Sequence, residues 1–166
     1  GSEMCIRDRA RLLSRILYGM YARELFLGGA DRDFLEAENY FQTQVASPDR
    51  STDEITEGCC VAAKAARLRG DAVSFFKYTS KVIAGDGCSE ICCELGHFYE
   101  ETGDFEEAAV WYYNAAYETQ PVLALRSSEE EPLQGLIRCY EQLGLPAQAR
   151  SYAEELKHRQ NEQTDN

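Results

Sequence analysis

The chain has 166 residues, 44% hydrophobic and 28% charged, so it can bury the core of one ordinary domain and is too apolar for a disordered segment. Its formal net charge is -12, and most of that falls in residues 88–166, which hold 5 Lys/Arg against 16 Asp/Glu, while residues 1–87 hold 12 against 13. An acidic surface repels phosphate backbones and anionic lipid, and no apolar run reaches the roughly 18 residues of a membrane span, so nucleic acid and membrane are not the expected partners.

Residues 1–9 read as an adventitious tail: Gly1-Ser2 looks like a cloning scar, and Glu3–Arg9 like a translated adaptor sequence. No secretory signal follows Met4, because Arg7, Asp8, Arg9 and Arg11 come before any apolar stretch. Together with seven cysteines, an odd number that includes the adjacent pairs Cys59-Cys60 and Cys92-Cys93, this predicts reduced, packed thiols and a cytoplasmic location. The folded domain is expected to span residues 10–158.

Its first helix pair is predicted over Leu12–Leu27 and Asp33–Val45, separated by Gly28-Gly29. Pro48–Thr52 is the connector, with Ser51 or Thr52 as N-cap of the third helix. The next pair flanks Gly70-Asp71, with Cys59, Ala62, Ala63 and Ala66 before it and Phe75, Phe76 and Val82 after it. The clearest pair runs from Ser89 to Val122: a helix over Glu90–Thr102 ended by Gly103, then one from Phe105 to Glu118 that stops before Pro121. Ser127–Pro132 reads as a loop insertion, Pro132 as the start of the seventh helix, and Pro146 as the start of the eighth, after Gly144-Leu145. Arg159–Asn166 is a polar tail expected to fray. No β-branched run alternates over a useful length, so no strand is predicted.

The interval from Gly70 to Gly103 is close to the roughly 34-residue period of a tetratricopeptide unit. Within Ser89–Val122 the residues resemble that repeat closely: Cys92, Leu95-Gly96, Tyr99, Ala108, Tyr112 and Ala115 stand at its large, Leu-Gly, Tyr, Ala, aromatic and Ala places, with Pro121 one step late. Small residues at Gly96 and Ala108 let the two helices cross closely, and Leu95 and Ala115 fall on the buried stripe. The expected fold is all-α: a right-handed superhelical stack of about four antiparallel helix pairs, in which each pair covers the next.

In such a stack the first helices line a concave groove. Its positions here are Glu90, Cys93, Glu94, His97, Glu100 and Glu101, with Lys64 and Arg67 from the preceding unit and Glu131, Gly135, Arg138 and Glu141 from the following one. The candidate binding residues are therefore Lys64, Arg67, Glu90, Cys93, Glu94, His97, Glu101 and Arg138, an acidic centre suited to a basic peptide; the simpler alternative is a solvated helix face. Cys93 and His97 lie one helical turn apart, a spacing compatible with two metal ligands, and Cys60 is a candidate third. No Cys-x-x-Cys pair occurs and Cys92 holds a core place, so neither metal nor other cofactor is expected. No triad, phosphate loop or converging carboxylate pair stands out, and no catalytic residue is expected. Trp111-Tyr112-Tyr113 reads as packing between hairpins, with a stacking platform as the alternative.

Cys88–Gly96 and Trp111–Thr119, with Tyr21–Leu25, also resemble the C-terminal tetratricopeptide region of bacterial family 2 glycosyltransferases, mainly from Firmicutes. That resemblance implies a nucleotide-sugar-binding catalytic domain upstream and an accessory, acceptor-presenting or dimerising role for this chain, which would not transfer sugar alone. Asp31-Arg32-Asp33 lacks the strand context of the family's metal-binding motif, so no catalytic residue carries over. A free-standing adaptor for a peptide or protein is the alternative, and exposed helix faces at the ends of a stack leave homodimerisation open.

Overall fold

The computed structural model describes residues 52–123 and 127–165. The predicted helix pair at 12–45, its connector up to Ser51 and Asp31–Asp33 lie outside these residues. Everything described is helix or short connection, with no strand among the described residues. Six α-helices follow in order: α1 Thr52–Leu68, α2 Ala72–Ile83, α3 Ser89–Glu101, α4 Phe105–Tyr113, α5 Ser127–Gln142 and α6 Pro146–Thr164, with a π-helical turn at Asn114–Glu118. No described helix is long and apolar enough to cross a membrane. The chain divides into two compact units, with the boundary within α2 between Tyr78 and Thr79.

In the first unit, α1 buries a continuous run from Gly58 to Ala63, together with Ala65 and Ala66. Six consecutive residues go fully round a helix, so the middle of α1 is enclosed on every face, and its side chains there are Cys, Ala, Gly and Val, residues that permit close approach. Gly70, at φ 76°, reverses the chain. Asp71 then opens α2: its carboxylate accepts the Ser74 backbone N–H at 3.1 Å and the Arg69 guanidinium at 3.1 Å.

In the second unit, α3 packs on α4, α4 on α5 and α5 on α6, and α3 also meets α5. The α3–α4 turn repeats the logic of the earlier one. Gly103 has φ 83°, its N–H and that of Thr102 close the end of α3, and Asp104 accepts the Glu107 N–H at 3.2 Å as N-cap. Pro146 stands in the first turn of α6, where its missing N–H leaves no intrahelical bond unmade. The core joins Cys92, Cys93, Ala108, Ala109, Tyr112, Ala115, Leu133, Leu136 and Cys139, with Tyr99, Trp111, Tyr140, Tyr152 and Leu156 packed on its edge. An aromatic ladder of Tyr113, Tyr117, Tyr152 and Tyr140 runs along one side, ending in a stacked pair with centroids 5.5 Å apart. Tyr112 and Trp111 thus serve as packing between helices, while Tyr113 stays exposed at the end of the ladder.

Three expectations are corrected. The seventh predicted helix begins at Ser127, so Ser127–Pro132 is helix and Pro132 sits inside it, fully buried. At the sixth helical position this proline forfeits the bond its N–H would give to the Ser128 carbonyl, and its ring crowds that same carbonyl. The helix from Phe105 does not stay α-helical to Glu118: it widens into the π turn, and the Thr119 hydroxyl donates to the Asn114 carbonyl five residues back, at 2.8 Å. The C-terminal segment continues as helix to Thr164 instead of ending near His158. Arg159 supports that extension, pairing with Glu155 at 2.9 Å and lying over the Tyr117 ring at 5.2 Å.

Candidate functional site

The centre of the second unit is one aromatic ring. Tyr112 projects from α4 and lies fully buried between two glycines, Gly96 on α3 and Gly135 on α5. A Cβ on Gly96 would stand 2.5 Å from ring carbon Cδ1, and one on Gly135 would stand 2.6 Å from Cε2 on the opposite side. Both approaches are closer than any side chain tolerates, so glycine is required on both helices. The two small residues thereby fix how α3 and α5 flank the ring.

The ring carries its hydroxyl out of the apolar core to the junction of α3 and α5, where a chain of polar contacts begins. The hydroxyl donates to Glu100 Oε1 at 2.6 Å and meets His97 Nδ1 at 2.7 Å. Glu100 accepts two bonds from Arg138 on α5, Nε to Oε2 at 2.8 Å and the second guanidinium nitrogen to Oε1 at 2.9 Å. Such paired guanidinium–carboxylate bonds are strong and directional. Partial burial pushes the Glu100 carboxyl upward, but the bonds from Arg138 and Tyr112 outweigh it and hold the group below its ordinary value. The same pairing raises Arg138 further. Burial, with Glu100 accepting its proton, pushes the Tyr112 phenol far above its ordinary range.

His97 carries the chain to its other end. Its ring stands edge-on to Tyr112, with centroids 5.4 Å apart and planes at 84°. Nε2 lies 2.5 Å from Glu131 Oε1, at the start of α5, and 3.7 Å from Cys93 Sγ, one turn back on α3. Hydrogen counting assigns which ring nitrogen donates to Tyr112. Tyr112 owns one hydroxyl proton and gives it to Glu100, so Nδ1 supplies the proton of the His97–Tyr112 bond. Nε2 then faces a carboxylate.

A second polar cluster anchors the other end of α3. Glu90 is buried, and its carboxylate accepts the Val122 N–H at 3.1 and 3.0 Å and the Leu123 N–H at 3.5 Å. The Ser89 N–H donates to the Gln120 carbonyl at 3.0 Å, and its hydroxyl meets that of Thr119 at 3.2 Å. These bonds clasp the connector leaving α4 to the first turn of α3. Burial raises the Glu90 carboxyl above its ordinary value, against the pull of its N–H donors.

Of the residues that the sequence marks for a groove, Glu90, Cys93 and Glu94 are buried, His97 is half-buried, and Glu101 and Arg138 are exposed. Lys64 and Arg67, in the first unit, are half-buried on α1. Glu90 thus turns away from solvent to satisfy backbone donors, and Arg138 is engaged by Glu100. The contact residues that sequence reading undervalues are Tyr112, Glu100 and Glu131. Tyr112 reads as a packing residue, and nothing in its neighbours signals where its hydroxyl goes. Six described cysteines are all buried thiols. Burial pushes Cys92 up to about 11 and Cys139 up to about 12, which suits packing better than reactivity.

Comparison with protein-family models, with curated proteins and with solved structures finds no match.

Proposed function

We propose that the chain is a non-catalytic docking module, a tetratricopeptide-type stack whose first helices present a face to a protein or peptide partner. The observation that carries this reading is the juxtaposition of α3 and α5, the first helices of successive hairpins, across the Gly96–Tyr112–Gly135 wedge. Ordered polar groups line that junction, while acidic Glu101 and Glu141 remain exposed on the same two helices. With 16 Asp/Glu against 5 Lys/Arg in residues 88–166, the partner segment best matched by charge is basic. The likeness of Cys88–Gly96 and Trp111–Thr119 to glycosyltransferase-associated repeats supports a narrower reading, the C-terminal accessory arm of a bacterial family 2-type glycosyltransferase. A free-standing cytoplasmic adaptor is the alternative.

The test is fluorescence anisotropy with a labelled Lys/Arg-rich peptide and an acidic peptide of equal length. Binding of the basic peptide alone is expected, weakening severalfold between 50 and 300 mM salt and again in the double variant Glu101→Lys, Glu141→Lys. Equal binding of both peptides, or no response to the charge reversal, overturns the reading. Transfer of sugar from a nucleotide donor by the isolated chain would overturn its non-catalytic part.

A further inference from the structure

We propose that Cys93, His97 and Glu131 form a binding site for one borderline-soft divalent cation, best matched by Zn²⁺, which fastens the start of α5 to the middle of α3. This proposal stands independently of the docking reading. The three residues bring a thiolate sulfur, an imidazole nitrogen and a carboxylate oxygen within 4.8 Å of one another. That mixture of donors is one that zinc selects. Cys93 and His97 occupy adjacent turns of α3, and Glu131 arrives from α5, so the ion would cross-link two helices that are far apart in sequence.

The Cys93–His97 edge matches a zinc site, while the two edges to Glu131 need adjustment, the one from Cys93 being no longer than 4.8 Å. A tetrahedral zinc with bonds of about 2.3 Å to sulfur and about 2.1 Å to nitrogen sets a ligand-to-ligand edge of about 3.5 Å. Cys93 Sγ and His97 Nε2 are 3.7 Å apart. Glu131 Oε1 is nearer to Nε2, at 2.5 Å, so the carboxylate has to swing outward by less than about 1 Å to reach a ligand edge. Its side chain is 36% exposed, which leaves room for that motion, and His97, at 16%, gives the ion a path from solvent. Cys93 closes the site from the buried side.

Two further features of the site point to a cation. The first is the proton count. Because Tyr112 gives its proton to Glu100, His97 Nδ1 donates to the phenol oxygen, so when the ring is neutral it is Nε2 that presents a lone pair, and it presents it to the Glu131 carboxylate. Two acceptors in contact require a positive charge between them, a proton or a metal ion. The Cys93 sulfur beside them adds a donor suited to a metal. The second is the outer chain of contacts: Arg138 holds Glu100, Glu100 holds Tyr112, and Tyr112 holds His97 Nδ1. Metal-binding histidines are commonly oriented through their second nitrogen in this way. Three protein ligands leave the fourth to water or to a side chain of a partner.

Cobalt titration of chelator-treated protein tests the site. One equivalent is expected to bind, giving the visible bands of a tetrahedral ion and a thiolate-to-cobalt charge-transfer band, and zinc should displace it. Cys93→Ser should abolish the charge-transfer band, and His97→Gln should weaken binding at least tenfold. Tyr112→Phe keeps the ring in its slot and removes only the orienting bond. It should weaken binding by about tenfold or more. Circular dichroism of each variant separates loss of ligation from loss of fold. Absence of saturable binding, or a band and affinity indifferent to C93S and H97Q, overturns the proposal and leaves a proton as the charge between His97 and Glu131. Undiminished affinity in Y112F overturns the orienting role of Tyr112.

Discussion

At the scale of single residues, the second unit turns on volume. Glycine inside a helix is ordinarily a weakness of about 1 kcal/mol relative to alanine. At Gly96 that weakness is offset by the Tyr112 ring, which needs the space where a Cβ would be. Gly96→Ala should therefore destabilise the protein. Overpacking costs about 1–3 kcal/mol and helix propensity returns about 1, so the net loss should be up to about 2 kcal/mol. The ring has no easy retreat, since Gly135 abuts its far side. The diagnostic measurement is a double-mutant cycle in chemical denaturation. Tyr112→Ala alone removes a fully buried ring and should cost about 3–5 kcal/mol. In that background Gly96→Ala should change sign and stabilise, because the clash is gone and the propensity gain remains. An additive cycle would mean that the ring and the glycine are not in contact. The sequence exposes half of this arrangement. Leu95-Gly96 and Tyr112 stand where a tetratricopeptide repeat wants a small residue and an aromatic, so their packing is legible. Gly135 is not, because it occupies a place expected to face a groove, and only the position of α5 shows that it serves the same ring.

At the scale of elements, hairpin turns were legible because their chemistry is local. Gly103 needs a left-handed backbone, and Asp104 needs only to reach three residues ahead, so adjacent letters carry the whole signal. The start of α5 was not, because Pro132 reads as a helix opening when taken alone, whereas helix propagation upstream is decided by packing. The clasp between α3 and its connector was equally hidden: Glu90 looks like a solvated first-turn acid, and its partners Val122 and Leu123 lie a whole hairpin away. Its consequences are measurable. Glu90→Ala should leave the Val122 N–H without its acceptor and cost about 1–3 kcal/mol. Glu90→Gln keeps one carbonyl oxygen for that bond and removes the buried charge, so it should retain most of the stability at pH 7. Its more telling effect is on pH. Burial raises the folded carboxyl above its ordinary 4.5, so the folded state favours the protonated form. Stability from this group is full below 4.5 and is lost as pH rises through the folded value. The wild type should gain stability relative to Glu90→Gln as pH falls from 7 toward 4.5; parallel profiles would refute a raised carboxyl at Glu90.

At the scale of the whole chain, charge and burial act in the same direction over one pH range and oppose each other below it. A net charge of -12 makes the folded chain repel itself near neutrality. Moderate acid reduces that repulsion and also favours protonated Glu90, so both effects raise stability as pH falls from 7. Below about 4 the sign reverses. Asp71 is held down to about 2 by the Ser74 hydroxyl and backbone N–H, with help from Arg69. A depressed carboxyl contributes stability above its unfolded value and loses it as pH drops toward the folded one. Glu100, also held below its ordinary value, loses its bonds from Arg138 and Tyr112 in the same direction. The melting temperature should therefore peak on the acid side of neutrality, above pH 4, and fall steeply beneath it. Salt separates the contributions. Raising ionic strength from 20 to 300 mM at pH 7 screens exposed like charges over a Debye length of about 10 Å or less and should raise the melting temperature. It should scarcely alter the Glu90 difference, which arises from burial. Asp71→Asn should flatten the descent between pH 4 and 2 while leaving the neutral limb unchanged. A peak at or above pH 7, insensitive to salt, would mean that neither surface repulsion nor the buried Glu90 governs the neutral limb. The acid limb would then rest on the Asp71 cap and the Glu100–Arg138 pair alone.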